Sequence, residues 1–182
     1  PGVGRNLHDH PDFVFGYESD CLDLAGISAR GSARFVGQLQ RYRRERRGLV
    51  TSNFAECGGF LSTRPGLPAP NVQLHLVVAL VEDHARKLRL GHGLSCHVCL
   101  LRPRSRGALT LASADPLAAP RIDPAFLQDA EDVRELIEGY KLTRDLMRAP
   151  SMKAFWKNET WSAGVDADAD IEALLRRRVD TV

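Results

Sequence analysis

Six histidines and four cysteines carry most of the chemistry open to this 182-residue chain, and their spacing bounds what that chemistry could be. His8, Asp9 and His10 fall together within PGVGRNLHDHP, Pro1 to Pro11. In an extended loop the two imidazoles project to the same side as paired nitrogen donors. Zinc needs three or four converging donors, and a loop that simply carries polar residues explains the same letters. Cys96 and Cys99 frame CHVC, a C-x-x-C spacing, but no second pair exists. On a strand, residues three apart face opposite sides of the sheet. One metal could not then take both thiols, and two small core residues are expected. His75 and His97 each sit inside a long apolar run. Two histidines facing one cavity could bind a hydroxyl group; two facing the interior would be hydrogen-bonded core residues.

Other chemistry is excluded by pattern. Gly2 and Gly4 are followed by Leu7, so no G-x-G-x-x-G loop forms there, and the stretch precedes the first predicted strand. No phosphate loop ending in Gly-Lys-Ser/Thr and no G-x-S-x-G elbow occurs. The chain is 43% hydrophobic and 26% charged with a net charge of +2, a balance that suggests neither a nucleic-acid binder nor a membrane-surface protein. No apolar run approaches the roughly 20 residues of a membrane span. The first residues lack the basic start and apolar middle of a signal peptide. Four cysteines are sparse for a disulfide scaffold, so a reducing, cytoplasmic setting is expected.

Any site must be positioned by elements readable from periodicity. Phe13, Phe15 and Tyr17 alternate between Asp12 and Ser19, predicting a half-buried strand. Phe35, Val36, Leu39 and Tyr42 recur at helical spacing, with Gly48 as the stop; Arg41 to Arg47 (RYRRERR) then form mainly a solvated face. Gly58 to Pro65 predicts a short strand, stopped by Pro65. Asn71 to Val81, Gly93 to Pro103 and Gly107 to Ser113 predict three further strands, joined by polar links as antiparallel neighbours. The first of those links, EDHARKLRLGHG, is expected to hang over the sheet edge. After Pro124 the period becomes helical. Val133, Leu136, Ile137, Tyr140, Leu146 and Met147 share one stripe, with Asp129 as N-cap. Ile171, Leu174 and Leu175 repeat the pattern ahead of Arg176 to Arg178. Strands followed by helices predict an α+β fold, an antiparallel sheet with helices packed on one face.

Three stretches carry a resemblance. PGVGRNLHDHP is similar to the G-V-G-x-N-L-x-D-H-P segment of the glucose–methanol–choline (GMC) family of FAD-dependent oxidoreductases. Leu100 to Leu127 resembles that family's P-x-S-x-G-x-(V/L)-x-L-x-S-x-D-P…P-x-I-D-P stretch, through Pro103, Ser105, Gly107, Leu109, Leu111, Ser113, Asp115, Pro116, Pro120, Ile122, Asp123 and Pro124. Asp132, Gly139 and Arg144 match D-x-x-x-(L/V)-x-x-G-x-x-x-x-R. FAECGGFLST, Phe54 to Thr63, points to the choline-dehydrogenase-like branch.

The resemblance implies a substrate-binding domain over residues 12–182, preceded at 1–11 by the junction from an FAD domain. It implies that the family's active-site histidine would follow Val182, so that this stretch by itself holds no FAD and has no activity. In the longer enzyme a base removes an alcohol proton while hydride passes to the flavin. Asn6, Asp9 and His10 would lie near the flavin, at an end with nothing to contact in this stretch. Candidate substrate residues are Asn53, Phe54, Glu56, Phe60, His75 and His97. Glu56 beside an aromatic ring could pair with a cationic alcohol, or be a loop residue making a hydrogen bond. The implied partners are a small alcohol and the FAD domain of the same chain, with self-association when that cover is missing. A stand-alone binding module with the same fold is the alternative.

Overall fold

The computed structural model describes residues 2–82, 86–87 and 89–182. In chain order the elements are β1 (Arg5–Leu7), β2 (Pro11–Ser19), β3 (Gly26–Ile27), α1 (Ala29–Glu45), β4 (Cys57–Leu61), β5 (Val72–Val77), β6 (Gly91–Leu100), β7 (Gly107–Thr110), β8 (Arg121–Asp123), α2 (Ala130–Arg148), α3 (Pro150–Lys153), β9 (Asn158–Glu159), α4 (Asp168–Arg178) and β10 (Asp180–Thr181). The main sheet runs β10-β2-β6-β5-β4, with β3 added to β6 and β9 to β2. Every pairing of these strands is antiparallel. The α+β layout is therefore as expected, with α2 and α4 on one face.

The strand alternation decides which side chains that face receives. Phe13, Phe15 and Tyr17 of β2 point to the helices, and so do Leu94, Cys96, Val98 and Leu100 of β6. Tyr140 of α2 meets the rings of Phe13 and Phe15 at 5.3 and 4.7 Å between centroids, and Trp156 meets Tyr17 at 4.6 Å. Gly139 allows α2 to come this near. A Cβ there would stand 3.0 Å from Val72 Cγ1 and 3.2 Å from Val98 Cγ2. Met147 completes the inward stripe of α2, whereas Leu146, expected on that stripe, is exposed because it lies one residue off the i, i+3, i+4 series. Asp129 does cap α2, accepting from the N–H of Glu131 at 2.8 Å.

Two expectations need correction. The strand at Gly107 is not a third neighbour of the two before it. Pro103 and the turn after it lead the chain off the main sheet. Asp132, buried in the first turn of α2, accepts from the N–H groups of Arg104 and Ser105 at 2.7 and 2.8 Å and from Ser105 Oγ at 2.6 Å. With those donors turned to a carboxylate, β7 pairs instead with β1 and β8 in a separate three-stranded sheet. The opening arm is likewise not a loose end. β1 pairs with β7, and Gly4, at φ 79, lies so close to Leu109 that a Cβ would sit 2.1 Å from its carbonyl oxygen.

α1 begins earlier than its apolar stripe, because Ser28 Oγ accepts from Gly31 N at 2.9 Å and caps it. It ends at Arg46, in the left-handed region at φ 56, ahead of Gly48. No residue of α1 is buried. The link proposed to overhang the sheet edge includes residues 83–85 and 88, which lie outside the described residues.

The Gly139 contact generates a direct expectation. Gly139→Leu should lower the unfolding free energy by about 1–3 kcal/mol through overpacking against Val72 and Val98. Urea denaturation checks this, with Asp145→Ala on the exposed side of α2 as the neutral comparison.

Candidate functional site

The face of the main sheet away from α2 collects the polar side chains. Because directly paired residues share a face, Val14, His97, His75 and Gly58 form one row across β2, β6, β5 and β4. Asp12, Cys99, Gln73 and Phe60 form the next. The two histidines of the apolar strands thus look to the same side, with ring centroids 6.3 Å apart and planes at 88°. Gly58 opposite His75 leaves that end of the row without a side chain.

Asp12 orders the row. Its carboxylate, in a fully buried residue, is 2.6 Å from His97 Nδ1. A carboxylate only accepts, so Nδ1 of His97 is the donor in this bond, and the ring's orientation is fixed by it. His75 is held below the ordinary histidine value of 6.5, first by burial and then by His97; Asp12 pulls weakly the other way. At neutral pH His75 is therefore an uncharged donor and acceptor, suited to a neutral polar group.

The remaining candidates are dispersed. Phe60 joins the outer face and is 61% exposed. Asn53 and Glu56 stand exposed on the loop before β4. Phe54, with φ 65, lines a cleft of about 660 Å³ beside α1, together with Leu22, Ile27, Phe35 and Leu49. Glu56 does not line it, so Phe54 and Glu56 do not form one site. In the arm, Asn6 is exposed with φ 57, and Asp9 Oδ1 accepts from the N–H of His10 at 2.8 Å. His10 Nδ1 donates to the Leu100 carbonyl at 2.8 Å and His8 Nε2 to that of Pro103 at 2.7 Å. Both rings are committed to backbone at the end of β6, which corrects the expectation that this arm contacts nothing.

Cys96 and Cys99 do face opposite sides of the sheet. Burial pushes both thiols up to about 12, so neither is a thiolate at neutral pH. Among the described residues, no cluster of three or more metal-ligating side chains occurs and no helix is long and apolar enough to cross a membrane. Sequence reasoning missed Asp12 and Gly58. The signal for Asp12 was present in the alternation itself, since Asp12, Val14 and Gly16 form the non-aromatic side of β2.

An FAD diphosphate would need a helix N-terminus with open N–H groups. The described residues do not fit it. The first turn of α2 carries Glu131 and Asp132, that of α4 carries Asp168 and Asp170, and the cap of α1 is bonded to His92. What this chain offers is a sheet face on which His75 and His97 share one row, with His97 held by Asp12.

Residues 103–182 match the family model described as GMC oxidoreductase. An alcohol dehydrogenase (acceptor) from Pseudomonas putida is 38% identical over all of this chain and 33% of its own length. An oxygen-dependent choline dehydrogenase from Burkholderia multivorans is 32% identical over all of this chain and 32% of its own. A formate oxidase variant from Aspergillus oryzae, solved in a study of FAD modification, superposes with a TM-score of 0.82 over all of this chain and 37% of that one, at 24% identity. The GMC oxidoreductase match thus covers the C-terminal part of the chain, and the similarity to these enzymes runs along all of it. The chain spans about a third of the length of the curated relatives it matches.

The depressed His75 pKa fixes the sign of a pH effect. The unfolded chain takes a proton near the ordinary value, while the folded protein resists it. Stability from this group is complete above about pH 6.5 and is lost as pH falls through the lower folded value. Urea unfolding at about pH 7.5 and about pH 5.5 should show that loss, and His75→Gln should remove part of it. An identical decline in the variant would refute the assignment.

Proposed function

We propose that this domain is the substrate-side wall of an FAD-dependent enzyme that oxidises an alcohol. The carrying observation is the Asp12–His97–His75 row on the sheet face away from α2, in a chain 38% identical along its whole length to an alcohol dehydrogenase. FAD, when bound by the part of such an enzyme outside the matched third, supplies the hydride acceptor. The residues of this chain do the rest of what is assigned to it. His97, oriented by Asp12, accepts a hydrogen bond from the substrate hydroxyl; His75 holds the same oxygen from the adjacent strand; Phe60 excludes water at the edge. Asn53 and Glu56 lie on a loop that borders this face in the proposed assembly, and Asn6, Asp9 and His10 are the junction beside the cofactor. The chain by itself binds no FAD and turns over no alcohol in this reading.

The same reading assigns a cover to the small sheet. Leu109 and Ile122 are paired there and largely exposed, with Leu111 and Leu117 beyond them. An apolar patch of this kind is the surface on which an FAD-binding part would rest.

Substituting this chain for the matching third of the Pseudomonas putida enzyme tests the proposal. The chimera should bind FAD and reduce an artificial acceptor with alcohol, and His97→Ala should lower kcat/KM about a hundredfold. A chimera that binds FAD yet oxidises no alcohol would sink it. The isolated chain should self-associate in sedimentation velocity, and Leu111→Asp with Ile122→Asp should return it to monomer. Alcohol-dependent turnover by the isolated chain would contradict the division of labour.

A further inference from the structure

We propose that the cleft beside α1 binds a neutral molecule with an elongated apolar body, and that α1 is one wall of that site. A helix with an apolar stripe normally gains its stability by burying it. α1 buries none of its residues. Phe35 and Val36, 48% and 58% exposed, line a cleft of about 660 Å³ whose other lining residues include Leu22, Ile27, Leu49 and Phe54. A volume of that size and a mainly apolar lining are those of a small-molecule site.

Charge complementarity says what the occupant is. Both arginines at the cleft are engaged within the protein. Arg34 donates to the Asp23 carboxylate and the Leu22 carbonyl. Arg89 donates to Glu18 at 2.7 Å and to Glu82 at 3.4 Å. His92 lies between Ser28 Oγ at 2.7 Å and the Leu24 carbonyl at 2.9 Å, and Lys87 also interacts within the chain. Glu56, the carboxylate that a cationic substrate would need, is outside the lining. A cation would lose its hydration here and meet no carboxylate on the lining, and an anion would have to compete with the carboxylates that already hold both arginines, whereas a neutral apolar molecule loses nothing. The wall is also held in place without core packing. Ser28 caps α1 at its start, and Gln38 Oε1 accepts from Leu49 N at 3.2 Å near its end. A cleft preformed by hydrogen bonds costs little ordering on binding.

The claim concerns binding and is read without turnover, so its failure and that of the alcohol-oxidation reading are separable. Isothermal titration of the 182-residue chain with 1-hexanol, 1-octanol and 1-decanol should show saturable binding. Affinity should rise roughly three- to fourfold per added methylene. Choline and octanoate should not bind. Phe35→Asp and Val36→Asp, at exposed positions and with folding checked by circular dichroism and Tm, should weaken 1-octanol binding at least about tenfold. Arg44→Ala, on the opposite side of α1, should leave it unchanged. The proposal is overturned if no alcohol saturates, if octanoate or choline binds as well as 1-octanol, or if Val36→Asp has no effect. Binding to phosphatidylglycerol vesicles, or a dimer, that Val36→Asp abolishes while alcohols do not bind would assign the face to a membrane or a second copy and overturn it equally.

Discussion

Gly139 brings α2 against β5 and β6 closely enough that a single added carbon would press on both Val72 and Val98. The rest of the helical layer follows from that approach. Tyr140 reaches the aromatic row of β2, and Leu136 and Met147 are sealed from solvent. At one end of the same helix, Asp132 collects the donors that turn the chain into the small sheet. Toward the other end, Arg144 is buried, bonded to the carboxylate of Glu159 and to the carbonyls of Ser162 and Val165. The pair shapes the segment between β9 and α4, and its burial makes loss of either partner costly. The spaced Asp132, Gly139 and Arg144 thus form a packing device rather than a set of reacting groups.

With one sheet face packed against helices, the other carries the polar side chains of the strands. The division is the period-2 geometry of β2 and β6 applied to their letters: aromatic and aliphatic residues on one side, Asp12, Ser95, His97 and Cys99 on the other. A buried carboxylate beside His97 fixes Nδ1 as a donor and the ring's orientation, which a histidine alone in an apolar strand would not have. The structure therefore converts two ambiguous core histidines into an ordered pair.

Helix α1 shows the opposite relation between pattern and packing. Its amphipathic stripe was legible in Phe35, Val36, Leu39 and Tyr42, and the helix forms. Periodicity says that a face is apolar but not what it meets. Here the face is turned to an open cleft instead of the core, because α1 is tethered through β3 and the 48–51 turn and does not cross the sheet. Glu56 and Phe54, close in sequence and read together as a cation site, diverge because Phe54 adopts φ 65 and turns into that cleft.

The letters alone determined the local elements, the α+β class and the GMC resemblance, because alternation, helical spacing and capping are short-range properties carried by neighbouring residues. They also determined that Cys96 and Cys99 could not share a metal, from strand geometry alone. Register, sheet membership and facing were decided only by the tertiary structure. Whether Asp12 reaches His97, whether β7 joins the main sheet, and whether α1 has a partner depend on contacts between residues far apart in the chain, set by how α2 docks and by where Asp132 draws the backbone.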